Sequence, residues 1–212
     1  MMQRQTVILA ILIIELLAVG NVMAIEEAKY TVRLEEKPFE LREYEAHILA
    51  ETVVSSDFEG AGNKAFNPLF QYIAGNNRPR QKIAMTSPVG QSAPAEKIDM
   101  TSPVGQESRD KGWAVSFMMP SQFTLETLPE PKNPAITLRR VPARTVAAVR
   151  YSGFWSKTAY EKNKAALQAW IDEHGWRVVG SPTWAKYNPP FMPWFLRRNE
   201  ILIPVAVPAS GE

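Results

Sequence analysis

The strongest constraint on this chain is a strand pattern that it carries twice. Leu41-Arg42-Glu43-Tyr44-Glu45-Ala46-His47-Ile48-Leu49-Ala50 is matched 97 positions later by Leu138-Arg139-Arg140-Val141-Pro142-Ala143-Arg144-Thr145-Val146-Ala147. Apolar and polar residues alternate with the period of two that lays one set of side chains on each face of a sheet. A helical period follows both times. After Ser55-Ser56-Asp57, which supplies N-cap chemistry, Phe58, Gly62, Ala65, Phe66, Leu69, Tyr72 and Ile73 recur at helical spacing until Gly75. Ser156 to His174 does the same with Tyr160, Leu167, Trp170 and Ile171, offers Thr158 and Glu161 as a capping box, and stops at Gly175. Strand, strand, helix, strand met twice predicts an α+β domain of two pseudo-symmetric halves, its sheet curled around or against two helices.

A closer repetition interrupts this plan. Lys82-Ile83-Ala84-Met85-Thr86-Ser87-Pro88-Val89-Gly90-Gln91 returns fifteen residues later as Lys97-Ile98-Asp99-Met100-Thr101-Ser102-Pro103-Val104-Gly105-Gln106. Its alternation reads as a half-buried strand, and its proline, which cannot donate to a ladder, places it at a sheet edge or a strand end. The period is too short for a solenoid, so it reads as a local duplication at the seam between the halves. Strands are expected at Tyr30–Leu34, Phe39–Tyr44, His47–Val54, Trp113–Pro120 and Ile201–Val205. Glu107–Lys111 reads as a polar link, Thr124–Pro134 as a surface loop, and Trp184–Glu200 as a stiff loop rich in proline and aromatics. Pro68 should kink the first helix, at a cost of about 3 kcal/mol unless packing compensates.

Residues 1–24 have the three parts of an export leader: Arg4, the apolar run Val7 to Gly20, and Val22-Met23-Ala24 as a small-residue cleavage site. Roughly fourteen apolar positions fall short of the ~20 that span a bilayer. An exported protein, periplasmic or secreted, is the expectation, with an uncleaved anchor as the alternative. Residues 25–212 then form one domain, expected to be monomeric, since 45% hydrophobic content suffices for a single core. A net charge of +2 with scattered basic residues gives no electrostatic reason to propose nucleic acid. The absence of cysteine excludes disulfides, thiolate ligation of metal and a thiol nucleophile.

No nucleophile-base pair can be assembled, and no His, Asp or Glu spacing matches a metal loop. His47 lies in a strand and His174 in a last helical turn, where an imidazole suits the carbonyl ends. Both read as structural, and the Glu pairs read as solvated faces. Arg197-Arg198 can pair with a carboxylated ligand or with Glu200. The aromatic, proline-braced tail suits a flat apolar ligand.

Lys-Ile-x-Met-Thr-Ser-Pro-Val, the strand Trp113 to Pro120, and Tyr187-Asn188-Pro189-Pro190 leading to Arg197-Arg198-Asn199-Glu200 together resemble the SOUL family of haem-binding proteins, from about Tyr30 to Val205. That resemblance implies a distorted antiparallel β-barrel flanked by two helices, and non-catalytic binding of haem or a related tetrapyrrole in a shallow apolar cleft. Aligned on Gln71-Tyr72-Ile73-Ala74-Gly75, it implies contacts from Asn63, Phe66, Phe70 and Gln71 on the first helix. From the tail it implies Tyr187, Pro190, Phe191 and Met192, with Arg197 or Arg198 near the ligand's propionates. The basic residue that some members carry on the helix is Asn63 here, and a histidine proposed as iron ligand is replaced by Glu43. Axial ligation therefore stays open. The alternatives are a small-molecule or partner-binding module that does not use haem, similar to the effector-binding domains of some transcription regulators, and an enzyme that modifies tetrapyrroles.

Overall fold

The structure is a computed structural model that describes residues 25–79 and 95–208. The leader and the first copy of the tandem decapeptide lie outside the described residues. In chain order the strands are β1 (Tyr30–Glu36), β2 (Phe39–Tyr44), β3 (His47–Val54), β4 (Asn77–Arg78), β5 (Val104–Arg109), β6 (Gly112–Met118), β7 (Glu130–Pro131), β8 (Ile136–Val141), β9 (Arg144–Tyr151), β10 (Arg177–Val178), β11 (Thr183–Lys186) and β12 (Asn199–Ala206). Helix α1 (Phe58–Ile73) follows β3 and α2 (Lys157–Glu173) follows β9.

Local chemistry accounts for the helix ends. The Asp57 carboxylate accepts the Gly60 N–H at 2.7 Å, and the Ser156 hydroxyl accepts the Ala159 N–H at 3.2 Å, each satisfying an orphan donor of a first turn. The cap of α2 is Ser156, so Thr158 and Glu161 do not form the expected box. Both helices run out into a glycine at positive φ, Gly75 at 110° and Gly175 at 67°, a backbone setting that only glycine adopts cheaply. Helix α1 continues unbroken through Pro68.

The main sheet is antiparallel, ordered β1-β2-β9-β12-β11-β5-β6-β3-β8, with β10 paired to β12. Two links bend it. Residues 45–46 join β2, second in that order, to β3, the eighth, and residues 142–143 join β8, the ninth, to β9, the third. Two residues between strand ends span roughly 11 Å, so both ends of the sheet must come round to meet. The Tyr44 and His47 rings, one on each side of the first link, lie 6.5 Å apart. Among the described residues β1 and β8 do not pair, so the sheet is curled without being closed into the expected barrel by hydrogen bonds.

Both helices cover one face. Helix α1 sets Ala61, Ala65, Leu69 and Ile73 on Ala50, Val115 and Phe117 of β3 and β6. Helix α2 sets Leu167, Trp170 and Ile171 on Ala147, Val149, Ile201 and Ile203 of β9 and β12. Phe58, stacked on Trp184 at 4.7 Å and tilted against Tyr160 at 5.0 Å, belongs to the second of these clusters, and Trp113, edge-on to Phe58 at 5.3 Å, packs against both. Each fully buried Leu or Ile contributes on the order of 2 kcal/mol.

Four expectations need correction. The described tandem copy is not an alternating strand: Ile98 and Thr101 are buried while Asp99 and Met100 are exposed. Strand β5 begins only at Val104, after Pro103, the first position where every residue has an N–H to give to the ladder. That copy lies between α1 and β6 rather than at a seam between halves. Glu107 to Arg109 belong to β5 rather than to a link, and Trp184 to Lys186 belong to β11 near the middle of the sheet rather than to a loop.

Candidate functional site

Helical geometry decides which residues of α1 face outward. With Ala65, Leu69 and Tyr72 against the sheet, Asn63, Phe66, Asn67, Phe70 and Gln71 are left on the exposed side. Phe66 and Phe70 are 39% and 44% exposed, and their rings stack at 5.8 Å and 11°. Phe66 also meets Phe117 of β6 edge-on at 5.4 Å. Gln71 donates to the Asn67 side chain at 3.5 Å, a weak polar rim to that strip.

The second expected wall is the segment between β11 and β12. Arg197 fastens it: its Nε donates to the Met192 carbonyl at 2.8 Å and its Nη2 to the Pro190 carbonyl at 2.7 Å, while the guanidinium lies 4.6 Å from the Trp155 ring centre. This bracing leaves Phe191 85% exposed. A short 3-10 turn, Trp194–Leu196, follows, and Trp194 stacks on Phe154 at 5.1 Å. Phe154, Phe191, Trp194, Phe195 and Leu196 are all exposed.

Two expected residues face elsewhere. The Tyr187 hydroxyl donates to Glu200 at 2.9 Å, and Arg198 lies 3.7 Å above the Tyr187 ring centre while pairing with Glu200 and Glu27, both at 2.9 Å. Arg198 is thus held by two carboxylates and Arg197 by two carbonyls. Asn63, Phe66, Phe70 and Gln71 share one strip, and Pro190, Phe191 and Met192 share the braced loop. No ring contact among the described residues joins the strip to the loop.

What lies between them was not anticipated. Lys186 of β11 is largely buried, with its ammonium 4.4 Å from the Trp184 ring centre and 5.3 Å from that of Trp155. Its hydrogen bond goes to the neutral Gln106 side chain at 3.3 Å, and it has no carboxylate partner among the described residues. Burial alone pushes this ammonium down to about 8. A Cβ at position 62 would sit 2.8 Å from the Lys186 Nζ, so Gly62 leaves α1 open to the ammonium one residue before Asn63. Trp155, which donates to Asn199 at 2.8 Å, carries Lys186 and Arg197 against its ring. The sequence signal was available: Lys186 stands two residues after Trp184, so in a strand it shares the face of that core tryptophan.

Neither histidine stands at these surfaces. The Nδ1 of His174 meets the Trp170 carbonyl at 2.9 Å and its Nε2 lies 3.5 Å from Glu36, while His47 lines cavities on the opposite face. Among the described residues no group of three His, Asp or Glu could hold a metal ion.

A family model described as SOUL heme-binding protein matches residues 25–204. Heme-binding protein 1 of Xenopus tropicalis is 26% identical over 164 residues, 77% of this chain and 81% of that protein. Among solved structures, the C-terminal domain of EcmrR superposes with a TM-score of 0.57 at 15% identity, covering 84% of this chain and 98% of that one. A hydrolase from Listeria innocua superposes with a TM-score of 0.52 at 12% identity, covering 82% and 94%. At such identities the two structures speak to the fold alone. The family match spans nearly all of the described residues, and the chain belongs to the SOUL family of heme-binding proteins.

Proposed function

We propose that this protein binds haem or a related tetrapyrrole, without altering it, against Phe66 and Phe70 of α1 and the braced loop that carries Phe191 and Met192. The observation that supports this reading best is the Phe66–Phe70 pair: two stacked rings left on the outer face of a helix, at positions where a soluble helix normally carries polar residues. Flat apolar ligands are held by such rings through area and stacking. With Arg197 and Arg198 engaged internally, Lys186 is the cation that faces the ligand's carboxylates, and its missing counter-ion is then the ligand itself. Bound haem would supply the iron and the visible absorption; the chain supplies an apolar seat and a charge. We read the curled sheet as the family's distorted barrel of two like halves, and residues 1–24 as a leader that exports a monomer.

The test is a hemin titration of the protein lacking residues 1–24, followed at the Soret band. Saturation at micromolar concentration is expected, with a loss of about tenfold or more in affinity for Phe66→Ala/Phe70→Ala. No saturable shift, or an unchanged affinity in the double variant, would overturn the reading.

A further inference from the structure

The face of the sheet turned away from the helices encloses a cavity of about 70 Å³. Gly105 of β5, Ala114 of β6 and Ala185 of β11 make room for it in mid-sheet, and Arg139 of β8 and Arg144 of β9 reach into it across the second short link. The charges there are unevenly paired. Glu51 is paired with Arg139 at 2.9 Å and with Arg109 at 3.5 Å, and Glu107 with Arg109 at 3.2 Å. Arg144 makes no side-chain hydrogen bond or ion pair among the described residues. The Nε atoms of Arg139 and Arg144 are both buried without a partner. The lining itself holds two guanidiniums and two carboxylates, but Arg109, from outside it, pairs with both carboxylates, which leaves Arg144 with only the longer-range charge of Glu107. His47, also on the wall, is held towards its neutral form, by burial first and by the two arginines after it, against a pull from the Glu45 carbonyl.

We propose that this cavity is a second binding site, for a small monocarboxylate seated on Arg144 and Arg139. Buried guanidinium donors of this kind are rarely left unsatisfied, and a carboxylate matches their planar fork. At 10–15 Å³ for each water-sized group, ~70 Å³ holds about five non-hydrogen atoms, the size of propionate. Leu49, Val146 and Leu202 on the same wall receive its short apolar tail. A tetrapyrrole is many times too large for this space, so the inference stands apart from the haem reading.

Titration of the full chain with sodium propionate at constant ionic strength, followed by calorimetry, tests it. Saturable binding in the millimolar range is expected, with propionamide, the neutral isostere, weaker by about tenfold and Arg144→Gln weaker by a similar factor. Arg144→Lys, which keeps the charge and loses the fork, should fall between. Hemin affinity should stay unchanged in both variants, which separates this site from the other and reports on folding. Absence of saturation, or equal binding of propionate and propionamide, overturns the proposal on the unsubstituted protein alone. Full retention of propionate affinity in Arg144→Gln overturns it as well.

Discussion

Alternate residues of the same strands build two faces of unlike chemistry. The face under the helices is apolar, closed by Leu69, Phe117, Leu167, Ile201 and Ile203. The opposite face carries Arg42, Glu200, Tyr187, Arg198, Glu51 and Arg139, two of them as inaccessible as any core leucine: Arg42 is 1% exposed and Glu200 is fully buried. Arg42 reaches Glu200 at 2.7 Å and 3.2 Å and the Tyr44 hydroxyl at 3.0 Å. One face is stabilised by area; around Arg42, Glu200 and Arg198 the other is held by paired charges. The first tolerates trimming in proportion to volume, whereas the second fails when a single partner is removed.

The largest expected effect breaks the charged face. Glu200→Gln removes the buried carboxylate of Arg42, leaving it only the partly exposed Glu40 at 2.7 Å, and should cost about 3–5 kcal/mol in urea unfolding, while Arg42→Leu/Glu200→Leu should recover most of that loss. Acid sharpens the same point. Burial alone would raise the Glu200 carboxyl, but hydrogen bonds and charge from Arg42, Arg198 and Tyr187 outweigh it and hold the carboxyl below its ordinary range. The unfolded chain therefore takes up that proton first, and stability present above the ordinary carboxylate range is lost as pH falls towards the folded value. A variant without Glu200 should show a flatter acid limb.

The apolar face should answer by volume: Leu69→Ala, at a fully buried position, should cost about 3 kcal/mol with no change in pH dependence. Lys186 is where the two kinds of chemistry meet, a cation set among aromatic rings. Its ammonium is depressed from 10.5 to about 8, so between those values the unfolded chain binds the extra proton and stability should rise with pH. Lys186→Met should accordingly stabilise the unliganded protein at neutral pH by about 1–3 kcal/mol, and it should weaken hemin more than hemin dimethyl ester. An unchanged ratio of the two affinities would remove Lys186 from the site. The smallest effect on stability is expected at the outer strip, where Phe66→Ala/Phe70→Ala should stay within about 1 kcal/mol of the parent in urea while losing hemin affinity.

Much of the fold was legible because it is local. The bounds of β2 and β3, the cap at Asp57 and the stops at Gly75 and Gly175 follow from periodicity, a side-chain oxygen near an N-terminus and a glycine where φ turns positive. Phe66 and Phe70 were named from the family resemblance; helical spacing alone sets Phe66 among the apolar positions with Leu69 and Ile73, and only the packing of α1 on the sheet left it exposed. The alternation in Phe39–Tyr44 tells which side chains share a face but not that both faces are covered: Arg42 is interior, and its partner Glu200 is 158 positions away in sequence. Arg197 and Arg198 could be named as cations, yet whether they faced a ligand or their own loop depended on where Met192, Pro190 and Glu27 came to lie.

By itself the sequence determined β2, β3, both helices and the family, because strand period, helix period and capping act over a few residues. Only the tertiary structure decided which charges are buried, which cation lacks a partner and which cavity the curled sheet encloses. Electrostatic pairing joins residues from distant strands, and two short links set the curvature that brings those strands together.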